Sequence, residues 1–434
     1  MNIPEKSERR EFAAQLIDNT VLGDWFSPLM MALEKTRFSD KLFSALPMYA
    51  FILYGCLRQV QSLASLRELV QTIFHSDTDN TGLPLARSTF ADAMASPIRR
   101  AITREVVSVL AHEAQQQLPD KLLGVEGLGT RAVIAIDATY QLESTHYTAI
   151  HPSEGGDDNQ KGHLLLTFYD VRKGIPMGVV TETQSIAEIK LLKQGMDRSE
   201  DLMQVRNAIY SVDRAFIDGP YWDERKKKYQ STVVTRMKSN LNYSQEGEER
   251  CISDKVCNEG VLYDQAIKLD SSKFTWRLIG FCAPDGIVYE YLSNDFELEP
   301  GVIAFLYYRR WDEEKYFDNF KNDLSGAKAW SKSPVGIEQQ AMLSIVTYLL
   351  TRLFLHRYKK PLNLDKPDST QDRKHEIKQS AYESQIFGVA YRAFYIGLSK
   401  ITRQVWRFLK NCFSKESSLE LYQRQLRPLL LSYL

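Results

Sequence analysis

The segment at residues 307–321 holds the side chains best suited to chemistry. Its polar residues follow the pattern Tyr-x2-Arg-x3-Glu-x6-Lys and are Tyr307, Arg310, Glu314 and Lys321. On one continuous helix the arginine, glutamate and lysine share a face with the apolar Phe317 and Leu324, so we expect that face to point inward. A carboxylate there needs a cation or a proton, because burying an unpaired charge is costly. An ordinary helix with i,i+4 ion pairs would show the same spacing, so the pattern alone leaves both interpretations open.

Two more acidic residues follow short apolar runs that are typical of buried strands. Asp137 comes after AVIAI, and Asp213 comes after AIYSV. The carboxyl ends of neighbouring strands meet at one edge of a sheet, so both acids can cluster with Glu314. Taken singly, an Asp at a strand end is often only a helix cap. Glu313 is the obvious rival of Glu314, but it lies about 100° around an α-helix.

Such a cluster predicts phosphoryl transfer. Three packed carboxylates repel one another and raise their own pKa values unless cations bind. Magnesium is the natural occupant, because it prefers oxygen ligands and keeps positions for water and phosphate. Two ions about 4 Å apart would clamp an in-line displacement. Arg310 can bind a phosphate through two hydrogen bonds, Lys321 can supply a point charge, and Tyr307 can donate a hydrogen bond.

Composition narrows the class of protein. The chain has 434 residues with 44% hydrophobic content, enough for two or three packed domains. Lys+Arg and Asp+Glu are both 55, so a strongly basic, indiscriminate nucleic-acid binder is not indicated. The five scattered cysteines suit a reducing cytoplasm, and Cys251-x5-Cys257 lacks the second pair of a zinc site. The charged start MNIPEKSERREF and the short apolar runs indicate neither a signal peptide nor a membrane span.

The pattern of Tyr307, Arg310, Glu314 and Lys321 resembles the "YREK" signature of DDE-type insertion-sequence transposases, in the family named after insertion sequence four. The segment AVIAIDATYQL is similar to the family's first acidic motif, AIYSVDRAFID to its second, and LSNDFEL to the usual lead-in of the signature. The resemblance covers roughly residues 131–355. The sequence departs from the family at three places: Ala138 and Ala215 stand where glycine is usual, and Glu313 stands where an aliphatic residue is usual.

The resemblance implies a transposase that binds the terminal inverted repeats of its mobile element, cuts there and joins the 3′-ends to target DNA. It assigns catalysis and metal binding to Asp137, Asp213 and Glu314. Contacts with DNA near the cleaved end fall to Tyr307, Arg310 and Lys321. Two Mg²⁺ ions, replaceable by Mn²⁺, would be the cofactors. We expect a homodimer assembled on DNA, at the nucleoid in the prokaryotic cytoplasm and away from membranes.

Two other functions compete with this one. A catalytically inactive DNA-binding protein descended from a transposase is favoured by Ala138 and Ala215 and opposed by the intact acidic residues. An unrelated hydrolase, such as a glycosidase that uses two carboxylates, is opposed by the order of the strands and by the phosphate-suited Arg and Lys.

The order of elements predicts an α/β fold with an RNase H-like core. From residue 131 the chain reads as three strands, a helix at 185–196, a strand, a helix at 220–229 and a strand. The N-terminal helices could form a helix-turn-helix with Arg87, Thr89 and Arg99 near DNA, or a plain bundle. The predicted divisions are 1–125, a helical DNA-end-binding region; 126–239, the first part of the core; 240–300, a β-rich insertion; 301–355, the second part of the core with the signature helix; and 356–434, a linker and helical C-terminal region.

Overall fold

The computed structural model describes residues 20–38, 49, 52–53, 55–56, 60–74, 87–142, 151–152, 161–182, 186–198, 205–283 and 286–358. The predicted C-terminal region lies outside the described residues, apart from 356–358, which end a helix rather than begin a linker. The loop of the possible helix-turn-helix, at 75–86, also lies outside them.

One mixed sheet forms the centre of the described part. Its strands are β1 (Val133–Leu142), β2 (His151–Pro152), β3 (Lys161–Asp170), β4 (Ile175–Glu182), β5 (Ile209–Val212), β6 (Thr232–Arg236), β7 (Tyr243–Glu249), β8 (Val261–Leu269), β9 (Thr275–Cys282) and β10 (Val288–Ser293). They lie in the order β2-β3-β1-β5-β6-β10-β9-β8-β7, with β4 also pairing β3. Strand β3 is antiparallel to β1 and β4, whereas β1, β5 and β6 are mutually parallel. This is the RNase H-like arrangement, so the predicted α/β fold class is confirmed.

Four antiparallel strands, β7 to β10, fill most of the segment between β6 and the signature. They continue the same sheet, because β10 pairs with β6 through Leu292 opposite Thr235. Our sequence reading named only the strands that became β9 and β10. The insertion and the core therefore share one network of backbone hydrogen bonds.

Helices cover both faces of the sheet. They are α1 (Thr20–Glu34), α2 (Leu63–Phe74), α3 (Arg87–Ala95), α4 (Pro97–Gln117), α5 (Glu188–Arg198), α6 (Gly219–Tyr229), α7 (Pro300–Tyr308), α8 (Trp311–Asp323) and α9 (Pro334–Tyr358). One detail corrects the sequence analysis. The signature lies on two helices, α7 and α8, and not on one.

Alternate side chains of β1 enter two hydrophobic cores, as expected for a strand buried on both faces. Val133 and Ala135 join a core with the N-terminal helices and with α7, α8 and α9. Ile134 and Ile136 join a second core with α5 and α6. Trp25 of α1 donates a hydrogen bond of 3.3 Å to the hydroxyl of Thr351 in α9, so the described N-terminal helices pack into the main body. Within the residues described, every helix is too short or too polar to serve as a membrane span.

Candidate active site

Parallel pairing brings Asp137 and Asp213 together. Ile136 of β1 lies opposite Val212 of β5, and each aspartate is the next residue along. The two strands part here, because Asp213 caps a short 3₁₀ turn and accepts a 3.4 Å hydrogen bond from the N–H of Ala215. We expected Asp137 to end its strand, but β1 continues beyond it in pairing with β3. The aspartates therefore mark the end of the parallel pair, not of both strands.

The signature segment is held against these strands at both ends. The hydroxyl of Ser211, two residues before Asp213, donates a 3.2 Å hydrogen bond to the carbonyl of Leu306 in α7. Beyond the end of α8, the amide of Gln141 in β1 donates a 3.0 Å hydrogen bond to the carbonyl of Gly326. Both side chains are fully buried. These contacts fix the position of the signature relative to the two aspartates.

A tightened turn between α7 and α8 decides which side chains point inward. The N–H groups of Arg310, Asp312 and Glu313 each bond to the carbonyl three residues earlier. Such a turn has about 3.0 residues, so residues three apart eclipse, and Glu313 falls beneath Arg310. Glu313 is 0% exposed, which makes our expectation that it lies on another face wrong. Glu314 instead lies at the rim, with 41% of its side chain exposed.

The same turn points Trp311 outward, and its side chain is 55% exposed. The residue before it, Arg310, turns inward in its place.

Arg310 is the centre of the site. Its guanidinium forms an ion pair with Asp137, and its Nη2 lies 3.4 Å from Oε1 of Glu314. It also lies 5.5 Å from the ring centroid of Tyr307. The Tyr307 ring is itself buried and packs 5.2 Å from the ring of Tyr291. The arginine that was expected to bind DNA is thus also a direct partner of the acids.

Lys321, the last signature residue, lies on α8 beyond Glu314 and is half-buried. It forms no ion pair within the described ranges. Burial lowers the pKa of its amino group.

The acids lie in a setting that disfavours their charge. Burial raises the pKa of Asp137, with the charge of Asp213 adding to it and Arg310 opposing it. Burial likewise raises the pKa of Glu314, and the pKa of the fully buried Glu313 lies well above its ordinary value. Burial alone would lower the pKa of Arg310, but the negative charges of Asp137 and the other acids outweigh burial, so the pKa is raised overall. To stay charged, these carboxylates need a cation beside them.

The donor set fits a hard divalent cation, although no ion site is preassembled. Among the described residues, no three Asp, Glu, His or Cys side chains stand close enough together to hold a metal ion. Arg310 bonds two of the acids instead. The donors are carboxylate oxygens, the ligands that Mg²⁺ prefers. Both oxygens of Glu313 are buried without a side-chain partner among the described residues, although the main-chain N–H of Asp137 and the charge of Arg310 act on the carboxyl group.

Alanine at the two positions where glycine is usual in the resembling family suits this backbone. The N–H of Ala138 donates a 2.9 Å hydrogen bond to Asp137, and that of Ala215 bonds Asp213. Neither alanine has a positive φ. The backbone therefore accepts a Cβ at both positions.

A family model of the transposase DDE domain matches residues 128–350, which include all three acids and more than half of the 434 residues. The chain belongs to the transposase DDE domain family. No curated protein matches it. Among solved structures, this DDE transposase is similar to piggyBac transposase in a synaptic complex with hairpin DNA. The two share 12% identity and a TM-score of 0.39, over 85% of this chain and 76% of that one.

Sequence reasoning missed two residues that shape the site. Ser211 was passed over as part of an apolar strand, and Glu313 was assigned to the wrong face. The signal for Glu313 was present, because it is an acid where the resembling family has an aliphatic residue. Its inward position depends on the tightened turn, which the sequence does not reveal.

Proposed function

We propose that this protein is a metal-dependent DNA transposase of the group named after insertion sequence four. It binds the ends of its mobile element, cuts the DNA there and joins the 3′-ends to target DNA. The observation that carries the proposal is the convergence of Asp137 and Glu314 on Arg310, beside Asp213, in a DDE domain. The order of the three acidic motifs and the signature supports the finer assignment.

In this mechanism Asp137, Asp213 and Glu314 would hold the divalent ions. When bound, two Mg²⁺ ions would activate the attacking water or 3′-hydroxyl and stabilise the leaving oxygen. The chain supplies the positioning: Arg310 binds a phosphate of the cleaved end by two parallel hydrogen bonds, and Lys321 adds a charge further along α8. Phosphate contacts of this kind fix the register of the DNA.

Tyr307 serves DNA binding through Arg310. Its ring lies against the guanidinium and is too buried to offer a broad surface to a ligand. Its role is to hold the guanidinium at the angle at which it meets a phosphate. Tyr307 would then support the phosphate contact of Arg310, instead of bonding the DNA directly as the resemblance implies.

The partners would be the terminal inverted repeats and the target DNA. We propose that the N-terminal helices recognise the repeats and that two copies assemble on DNA. The chemistry belongs at the nucleoid of a prokaryotic cytoplasm, where both substrates are present.

Strand cleavage by the full-length protein tests the function. Inverted repeats in the DNA flanking the gene supply the substrate, as an end-labelled duplex in Mg²⁺. Wild type should nick at the repeat boundary, and Asp137→Ala, Asp213→Ala and Glu314→Ala should each lose several orders of magnitude while still binding the end. Asp318→Asn, an exposed acid on the same helix, is the matched control and should cleave normally.

Two outcomes would contradict the proposal. Specific end binding without cleavage by wild type would favour the inactive descendant. Full cleavage by any one of the alanine variants would remove that residue from the catalytic set.

A further inference from the structure

We infer that Glu313 is a fourth carboxylate of the metal site and gives an oxygen ligand to a divalent cation next to Asp137. The inference rests on the proposed function, since the cation is the one that the acid cluster would bind. It adds a residue that the signature pattern does not contain.

The first support is the isolation of the carboxylate. Glu313 is 0% exposed, and neither of its oxygens bonds a side chain of the described residues. Burial and the charge of Asp137 raise the pKa of its carboxyl group, whereas Arg310 and the main-chain N–H of Asp137 oppose them. A carboxylate at this position stays charged only with a cation beside it, because burying an unpaired charge is costly.

The second support is that the nearby protein cations are already engaged. Arg310 bonds Asp137 and Glu314, and its buried Nε makes no hydrogen bond to Glu313. On the other side of the turn, Arg309 pairs with Asp312 at 2.5 Å. Within the described residues, neither arginine of the turn hydrogen-bonds the carboxylate of Glu313.

The third support is the direction given by the tightened turn. The i+3 hydrogen bond from Glu313 to the carbonyl of Arg310 aligns the carboxylate with the guanidinium that contacts Asp137. The acid consequently lies on the side of the helix that faces the catalytic strands. An apolar side chain would fill this buried position without electrostatic cost, so an acid here indicates a role for its oxygens as ligands.

Calorimetric titration of Mn²⁺ into the full-length protein tests the inference. Glu313→Gln keeps the shape, and Glu313→Leu replaces the acid by an apolar group of similar size. Both should weaken Mn²⁺ binding by at least about tenfold, the loss that even supporting residues of a metal site cause. Glu224→Gln, an exposed acid on α6, is the control and should bind as wild type does.

Thermal melting supplies a second readout. Without divalent ions, Glu313→Leu should melt above wild type, because the desolvation cost of the buried carboxyl group is gone. With Mg²⁺, wild type should gain more in melting temperature than Glu313→Leu, because bound ligand stabilises the folded state.

The outcomes separate this inference from the function it rests on. If Asp137→Asn abolishes Mn²⁺ binding while both Glu313 variants bind as wild type does, Glu313 is not a ligand and the transposase proposal stands. If wild type itself binds no Mn²⁺, the metal site and the role of Glu313 both fail.

Discussion

Arg310 forms an ion pair with Asp137, a residue 173 positions earlier in the chain, and so joins the signature turn to strand β1. The same guanidinium reaches Glu314. A group expected to bind DNA phosphate is therefore shared with the acids of the site. Phosphate and carboxylate compete for its five N–H donors, which ties the state of the acids to the presence of DNA.

Arg310→Ala should destabilise the protein as well as impair cleavage. In buffer with a chelator, we expect the free energy of unfolding to fall by about 3 kcal/mol, because Asp137 is left buried without its partner. Cleavage should fall about a hundredfold through misplaced DNA. Arg310→Lys should recover only part of the stability and part of the cleavage rate, since an ammonium cannot bond two groups in the guanidinium geometry. Urea denaturation and nicking assays measure the two effects.

Lys321→Ala is the comparison for Arg310→Ala, because Lys321 has no ion partner in the part of the chain described. Its free energy of unfolding should change by no more than about 0.5 kcal/mol. DNA affinity should weaken, and the slope of log affinity against log salt should become shallower by about one. Equal destabilisation by the two variants would show that the ion pair with Asp137 adds nothing to stability.

Ala138→Gly and Ala215→Gly should not increase activity. Both alanines have backbone angles open to any residue, so glycine relieves no strain. Each variant should lose about 0.5–1 kcal/mol of stability through added freedom of the unfolded chain. Thermal melting and the nicking assay check this. A large rise in cleavage in either variant would mean that the alanines do hinder the site.

Asp295→Asn should lower stability in a pH-dependent manner. Burial would raise the pKa of Asp295, but Arg131, 2.7 Å away, and two main-chain N–H groups outweigh it and hold it below the ordinary 3.8. A lowered pKa gives stability that is present above pH 3.8 and is lost as the pH falls through the folded-state value. At pH 7 we expect the variant to lose about 3 kcal/mol.

Urea denaturation from pH 7 downwards measures this difference, which should shrink below pH 3.8. A difference that stays constant over this range would mean that the carboxylate charge is not what stabilises this contact.

Ser211→Ala should impair cleavage without affecting metal affinity. The variant loses the hydrogen bond to Leu306, at a cost of about 1 kcal/mol, and lets α7 shift relative to Asp213. Ser272→Ala is the control for lost stability, because its hydroxyl bonds Asp223 on α6 at 2.7 Å and also bonds Phe274 and Trp276. Ser272→Ala should be destabilised at least as much as Ser211→Ala, but only Ser211→Ala should cleave more slowly at saturating Mn²⁺. Equal cleavage by the two would reduce Ser211 to an ordinary core residue.

The core strands could be predicted because each one contains a short run of apolar residues. The apolar runs around Ile136, Leu165 and Val179 became β1, β3 and β4, and the acids at 137 and 213 fell on neighbouring strands as expected. By contrast, β7 reads YSQEGEE and is exposed along its whole length, so it shows no alternation of apolar and polar residues. Its existence depends on pairing with β8, which a local pattern cannot reveal.

The site was less predictable than the sheet. Reasoning from 3.6 residues per turn placed Glu314 inward and Glu313 elsewhere, whereas three i+3 hydrogen bonds within the turn reverse their exposure. Such tightening follows from how α7 and α8 are docked, through Leu306 at one end and Gly326 at the other. Those are tertiary contacts, and the spacing of residues within the signature does not contain them.

The pairing of β10 with β6 has a practical consequence for solubility. Removing residues 240–300 to obtain a smaller enzyme would strip the partner from β6, whose TVVTR sequence includes the fully buried Val233 and Val234. An unpaired apolar edge of this kind recruits strands from other molecules. The shortened protein would therefore precipitate rather than become a minimal catalyst, and a usable truncation has to keep at least β9 and β10 as a cover for that edge.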